Sequence, residues 1–293
     1  MKRFLIFILT FFTFSVAFNN IFYYIINEFL VSKSNFRYSR ILNENPDLII
    51  MGNSRGVHSI SEHYWDTNYD SDILNLSYNN MSPESIILFI NDLNKRKQAR
   101  FGIEISSFYT WEEDKQKKDI TDKYLISDNF RSYRYYFASL DQYFNNKDNL
   151  FHSIFKLFNF NNDLFSRIIF YLKGNDKEWL NFRQISADQI KEVQNIEKIK
   201  LTLHKEQFDK LLDVIKNNNA DVFFYESLWF EDYKNKIDNY LDIQNLIQNY
   251  SLEYYDLNDK FRYYDEYFSD FVHTNKDGAE VQTQLLFKLL NKE

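Results

Sequence analysis

A charge-free run from Phe4 to Asn27, preceded by Lys2 and Arg3, limits what the start of this chain can become. About 24 residues at roughly 1.5 Å each reach about 36 Å, more than the ~30 Å hydrocarbon core of a bilayer. The two basic residues favour an N-terminus kept in the cytoplasm, with the remainder exported. A cleaved signal peptide also fits, because Ser15-Val16-Ala17 has the small-x-small form of a cleavage site. The apolar stretch continues through Ile21, Phe22, Tyr23, Tyr24, Ile25 and Ile26, which favours an uncleaved anchor. The expected layout is therefore an anchor or signal over residues 1–30 and one exported domain over residues 31–293.

Composition removes several function classes. Lys and Arg total 35 against 42 Asp and Glu, so a basic nucleic-acid footprint is not expected. With no cysteine, thiolate metal sites, thiol nucleophiles and disulfides are excluded. Five histidines leave little for a His-rich metal centre, and no metal or organic cofactor is expected. The 30 Phe and 22 Tyr fit either a biased codon usage or a sugar-stacking surface.

Beyond a polar stretch from Ser32 to Asn45, short apolar runs alternate with helical patterns. Strands are expected at residues 47–51, 72–78, 101–105, 221–225 and 252–257. Ser82-Pro83-Glu84 reads as a helix start, with Ser as N-cap and Pro in the first turn. Asp232 to Gln248 reads as helical, and Thr274 to Leu290 as a last helix with Thr274 and Asp277 spaced as a capping box. Residues from 109 to about 200 break the rhythm and read as a largely helical insertion, a cap or side wall. Alternating strands and helices predict an α/β fold, a parallel sheet covered on both faces.

Ligands of such sheets bind beyond the carboxyl ends of the strands. Three segments belong there: Gly52-Asn53-Ser54-Arg55-Gly56, Asn75-Leu76-Ser77-Tyr78-Asn79-Asn80 and Asp270-Phe271-Val272-His273. A serine hydroxyl is a weak nucleophile until a base takes its proton, and the base needs a group that fixes its tautomer. Asp270 and His273 can serve if the last helix packs beside the first strand. Arg55 either steers an anionic substrate or ties down its own loop. Tyr109 and Trp111 either stack on sugar rings or pack in the core. His58 and His63 read as incidental to the site, and Glu112-Glu113-Asp114-Lys115 as a solvated loop rather than a metal site.

Ser in the first block with Asp and His in the last resembles the SGNH (GDSL-like) hydrolase superfamily, over residues 46–110 and 200–293. That resemblance implies a flavodoxin-like three-layer α/β/α fold with a five-stranded parallel sheet. It makes Ser54 the nucleophile, His273 the general base and acid, and Asp270 the orienting carboxylate. It assigns the oxyanion to the amides of Ser54 and Ser77. The superfamily often adds an Asn after the third strand, where this chain has Ile105-Ser106-Ser107-Phe108; Asn79 and Asn80 are the candidates to replace it. The string also satisfies G-x-S-x-G, the α/β-hydrolase elbow. That fold usually sets several strands before its nucleophile, and its Asp and His on separate loops.

Gly-x-Ser-Arg with an N-terminal anchor is similar to membrane-anchored bacterial members that modify envelope polymers. The resemblance implies a serine esterase or O-acyltransferase acting on an acylated cell-envelope glycan, with a membrane acyltransferase as possible partner. The alternative is a non-catalytic glycan-binding or assembly subunit of the same fold.

Overall fold

The computed structural model describes residues 2–26, 44–79, 81–94, 98–111, 180–250, 252–259 and 264–291. Most of the expected insertion, and the segment Glu112-Glu113-Asp114-Lys115 within it, lies outside the described residues.

Helix α1 (Lys2–Ile26) carries the apolar run, with Phe4, Phe7, Phe11 and Phe14 all exposed. Its 24-residue segment has mean hydropathy 1.9 and is long and apolar enough to cross a membrane, a form shared by anchors and signal sequences.

The α/β unit begins with β1 (Leu48–Met51), buried at every position. Such an uninterrupted apolar strand belongs inside a parallel sheet covered on both faces. Next come α2 (Ser54–Ser59), α3 (Glu62–Asn68), β2 (Ile73–Asn75), α4 (Pro83–Leu93), β3 (Arg100–Glu104) and β4 (Tyr109–Trp111). After the insertion follow α5 (Ala187–Asn195), β5 (Leu201–Leu203), α6 (Lys205–Asn218), β6 (Val222–Glu226), α7 (Glu231–Lys234), α8 (Tyr240–Gln248), β7 (Tyr254–Asp256) and α9 (Lys276–Asn291). The five long-range strands form one parallel sheet in the order β2-β1-β3-β6-β7. Counted within the sheet, this is the 2-1-3-4-5 order of doubly wound flavodoxin-like folds, whose ligands sit at the carboxyl edge. Helices α4 and α6 pack on each other, while α9 packs on α2 and α3.

All five expected strands are present. Ser82 caps α4 as expected, its hydroxyl accepting the Ser85 N–H at 3.3 Å behind Pro83. Three local readings differ. The ends of the insertion pair with each other: β4 and β5 form an antiparallel ribbon, Tyr109 opposite Leu203. Asp232 to Gln248 breaks into α7 and α8. The last helix starts later than expected, and Asn275, not Thr274, caps it by accepting the Gly278 N–H at 3.0 Å. Thr274 instead donates to the His58 carbonyl at 2.5 Å and accepts from Gln282 at 2.9 Å. That bond ties the start of α9 to α2.

Gly278 makes this approach possible. A Cβ there would lie 2.2 Å from the Tyr267 carbonyl oxygen and 2.9 Å from Thr274 Cβ. The first obstacle is backbone, which has no rotamer to yield. Gly278→Ala is expected to destabilise the domain by about 1–3 kcal/mol, the range for overpacking a tight contact. A urea midpoint equal to wild type, measured on detergent-solubilised full-length protein, would show that the 264–275 loop yields freely.

Candidate active site

Strand β1 ends at Met51, and the chain turns through Gly52 and Asn53 straight into α2. Asn53 is the N-cap, its Oδ1 accepting the Arg55 N–H at 2.9 Å. Ser54 thus occupies the first helical position, where a backbone N–H has no intrahelical acceptor. A Cβ on Gly56 would meet Ser77 Oγ at 2.6 Å, so glycine lets α2 rest against the end of β2.

The Asp270–His273 turn faces this point. The Ser269 N–H donates to the His273 carbonyl at 2.9 Å, closing the turn, and Asn181 braces it through Ser269 Oγ at 3.0 Å. His273 Nε2 lies 2.7 Å from Ser54 Oγ, and His273 Nδ1 lies 2.9 Å from Asp270 Oδ2. Asp270 Oδ1 also accepts the backbone N–H groups of Val272 at 2.9 Å and His273 at 2.8 Å. Burial acts to raise the Asp270 pKa, but the His273 bond and charge and the two backbone donors outweigh it and hold it below the ordinary carboxylate value. Ser54, His273 and Asp270 are therefore one hydrogen-bonded chain, with the imidazole partly open to solvent. The His58 ring stands edge-on to His273, centroids 5.1 Å apart.

Two other residues expected in the site are buried. Arg55 is buried, with 5% of its surface exposed. Its guanidinium donates to Ser227 Oγ at 3.0 Å and the Ser227 carbonyl at 2.6 Å. It lies 3.4 Å from Glu104 and 3.6 Å from Glu226, over the Trp229 ring at 3.3 Å. It points into the domain, so the substrate-steering expectation is corrected: Arg55 is a structural ion. Ser77 is fully buried, and its N–H donates to Asn75 Oδ1 at 3.0 Å. That engagement corrects its expected role as an oxyanion donor. Asn79 is exposed in the loop after β2, and Asn80 lies outside the described residues. Tyr109 packs inside, donating to Glu226 at 2.6 Å, so of its two readings it takes core packing; the Trp111 side chain is not among those described.

The buried acids were missed. Glu104 ends β3 and Glu226 ends β6, both with no exposed surface. A charged residue closing an otherwise apolar strand was the available signal. Burial pushes Glu226 up to about 8; Arg55 opposes this, Glu104 and Asp256 add to it, and the Tyr109 hydrogen bond lowers it. Ser106 and Ser107, in the turn after β3, were read as the absence of Asn. Their hydroxyls reach the Ser54 turn: the Asn53 N–H donates to Ser107 Oγ at 2.8 Å, and Ser106 Oγ lies 3.2 Å from Asn53 Oδ1 while bonding Glu104. Among the described residues, no group of three or more His, Asp or Glu side chains is arranged to hold a metal ion.

No protein-family model and no curated protein matches the chain. Among solved structures, one similar chain is a candidate acylhydrolase from Bacteroides fragilis NCTC 9343, with 12% identity and a TM-score of 0.40, covering 87% of this chain and 95% of that one.

Arg55→Met leaves Glu104 and Glu226 buried without their cation, and is expected to cost about 3–5 kcal/mol of stability in chemical denaturation. A loss under about 1 kcal/mol would mean that the carboxylates rehydrate or neutralise freely. Glu226 also sets a pH slope. Its folded pKa is raised, so the folded state holds the extra proton, and stability falls as pH rises from the ordinary carboxyl range to about 8. Glu226→Gln imitates the protonated form and is expected to flatten that decline. Parallel slopes for wild type and variant between about pH 6 and 8 would contradict it. Asp270 acts in the opposite sense, its contribution fading as acid protonates it.

Proposed function

We propose that this chain is an exported serine acyl-transfer enzyme of SGNH type, an esterase or O-acyltransferase held at the membrane by α1. Its substrate is an acylated cell-envelope glycan, and a membrane acyltransferase fits as partner. The observation that carries this reading is the 2.7 Å contact of Ser54 Oγ with His273 Nε2, continued at 2.9 Å to Asp270. With Nδ1–H donated to Asp270, Nε2 is left as the acceptor for the Ser54 proton.

The steps follow from that arrangement. Ser54 Oγ bonds to the ester carbonyl carbon as its proton passes to His273 Nε2. The tetrahedral oxyanion collapses, the C–O bond to the alcohol breaks, and His273 returns the proton to the leaving oxygen. Water or a sugar hydroxyl then attacks the acyl-enzyme, with His273 as base and Ser54 as leaving group. Asp270 stays ionised throughout, balancing the transient imidazolium. The N-terminal Lys2 and Arg3 support an extracytoplasmic domain.

A second reading, a glycan-binding subunit of the same fold, is favoured by the engaged Ser77 N–H and by serines after β3. A fluorophosphonate probe separates the two. Labelling of the folded wild type and release of 4-nitrophenol from 4-nitrophenyl acetate are expected, both lost in Ser54→Ala. Asp270→Asn should lower kcat by roughly 10²–10⁴ with the protein folded. Absence of labelling would replace the enzyme with the binding subunit, and full activity in Ser54→Ala would remove the triad.

A further inference from the structure

We propose that the side-chain amide of Asn53 donates a hydrogen bond to the oxyanion of the acyl-transfer intermediate. This inference rests on the acyl-transfer reading and supplies the donor that reading lacks. A tetrahedral intermediate needs preorganised N–H groups beside the nucleophile, and losing one costs about 10²–10³ in rate. The Ser77 N–H is engaged by Asn75, and the turn after β3 offers serines in place of an amide. The Ser54 N–H then needs a second donor from another residue.

Asn53 immediately precedes Ser54, and its amide orientation is fixed by chemistry. The Arg55 N–H, 2.9 Å away, can only donate, so the atom it meets must be the carbonyl oxygen Oδ1. Ser106 Oγ sits on that same oxygen at 3.2 Å. The Asn53 backbone N–H is anchored separately on Ser107 Oγ at 2.8 Å. With Oδ1 held on the protein side by α2 and the β3 turn, the NH₂ group is the opposite end of the amide. It makes no hydrogen bond among the described residues, and Asn53 is half-buried rather than enclosed. The two serines thus act through Asn53: they position an amide that stands one residue from the attacking oxygen. Ser107 Oγ accepts the Asn53 backbone N–H, and Ser106 shares its one hydroxyl proton between Glu104 and Asn53 Oδ1.

The test uses detergent-solubilised full-length protein with 4-nitrophenyl acetate. Asn53→Ser and Asn53→Asp each keep an oxygen for the Arg55 N–H and cap helices about as well as Asn, but neither presents the NH₂ donor. Both are expected to lower kcat about 10²–10³-fold, with KM changed less than about threefold and the urea midpoint held near wild type. If Asn53 were only a cap, Asn53→Ser would stay active; the added charge of Asn53→Asp opposes an oxyanion in either case, so the kcat of Asn53→Ser decides. Values of kcat within about threefold of wild type, with Ser54→Ala inactive, would overturn the Asn53 assignment and leave the acyl-transfer reading standing. A Ser54→Ala protein as active as wild type would remove both.

Discussion

The guanidinium of Arg55 binds three strand ends into one unit. It follows Ser54 in the turn after β1, yet its contacts are Glu104 at the end of β3 and Ser227 and Glu226 at the end of β6, with Trp229 stacked beneath. Burying a cation is costly unless charge and hydrogen bonds compensate it, and here the neighbouring Glu104, the Ser227 hydroxyl and two backbone carbonyls do so. Burial and the nearby carboxylates of Glu104 and Asp256 work against the charge on Glu226, and Arg55 works for it. The raised Glu226 pKa is the visible consequence.

The other half of the site is held from the opposite end of the chain. Ser54 and His273 are 219 residues apart in sequence, and two features bring them together. Thr274 bonds the His58 carbonyl of α2, and Gly278 lets α9 lie directly on Tyr267. The turn between them closes on its own backbone, with Asp270 accepting two N–H groups before it meets the imidazole. The histidine is therefore oriented by a turn that holds its shape without the partner serine.

Much of this was legible in the residues. Four of the strands became legible as apolar runs because parallel strands inside a covered sheet need no alternation, while β7 is a half-buried edge strand. Asp270 and His273 were readable because they stand in one turn. Arg55 misled because a charged residue next to a nucleophile looks exposed, and only tertiary packing shows two acids waiting inside. Thr274 misled because its hydroxyl serves a contact with distant His58, which no local spacing reveals. The β4–β5 ribbon was hidden because Tyr109–Trp111 and Leu201–Leu203 are three-residue pieces separated by the whole insertion. Ser106 and Ser107 read as a loss, since their value lies in what they hold.

The inward turn of Arg55 and the proposed role of the Asn53 amide belong to one arrangement. An ester is neutral when it binds, and negative charge appears on its carbonyl oxygen only as Ser54 attacks. A guanidinium at that place would attract anions already in the ground state. An amide N–H is neutral and lightly hydrated, and gains most when the oxyanion forms, which is the condition for lowering the barrier rather than tightening binding. In the proposed centre the single cation of the turn is drawn into the core, where it fixes the backbone. The neutral donor beside Ser54 is left to face the reacting oxygen.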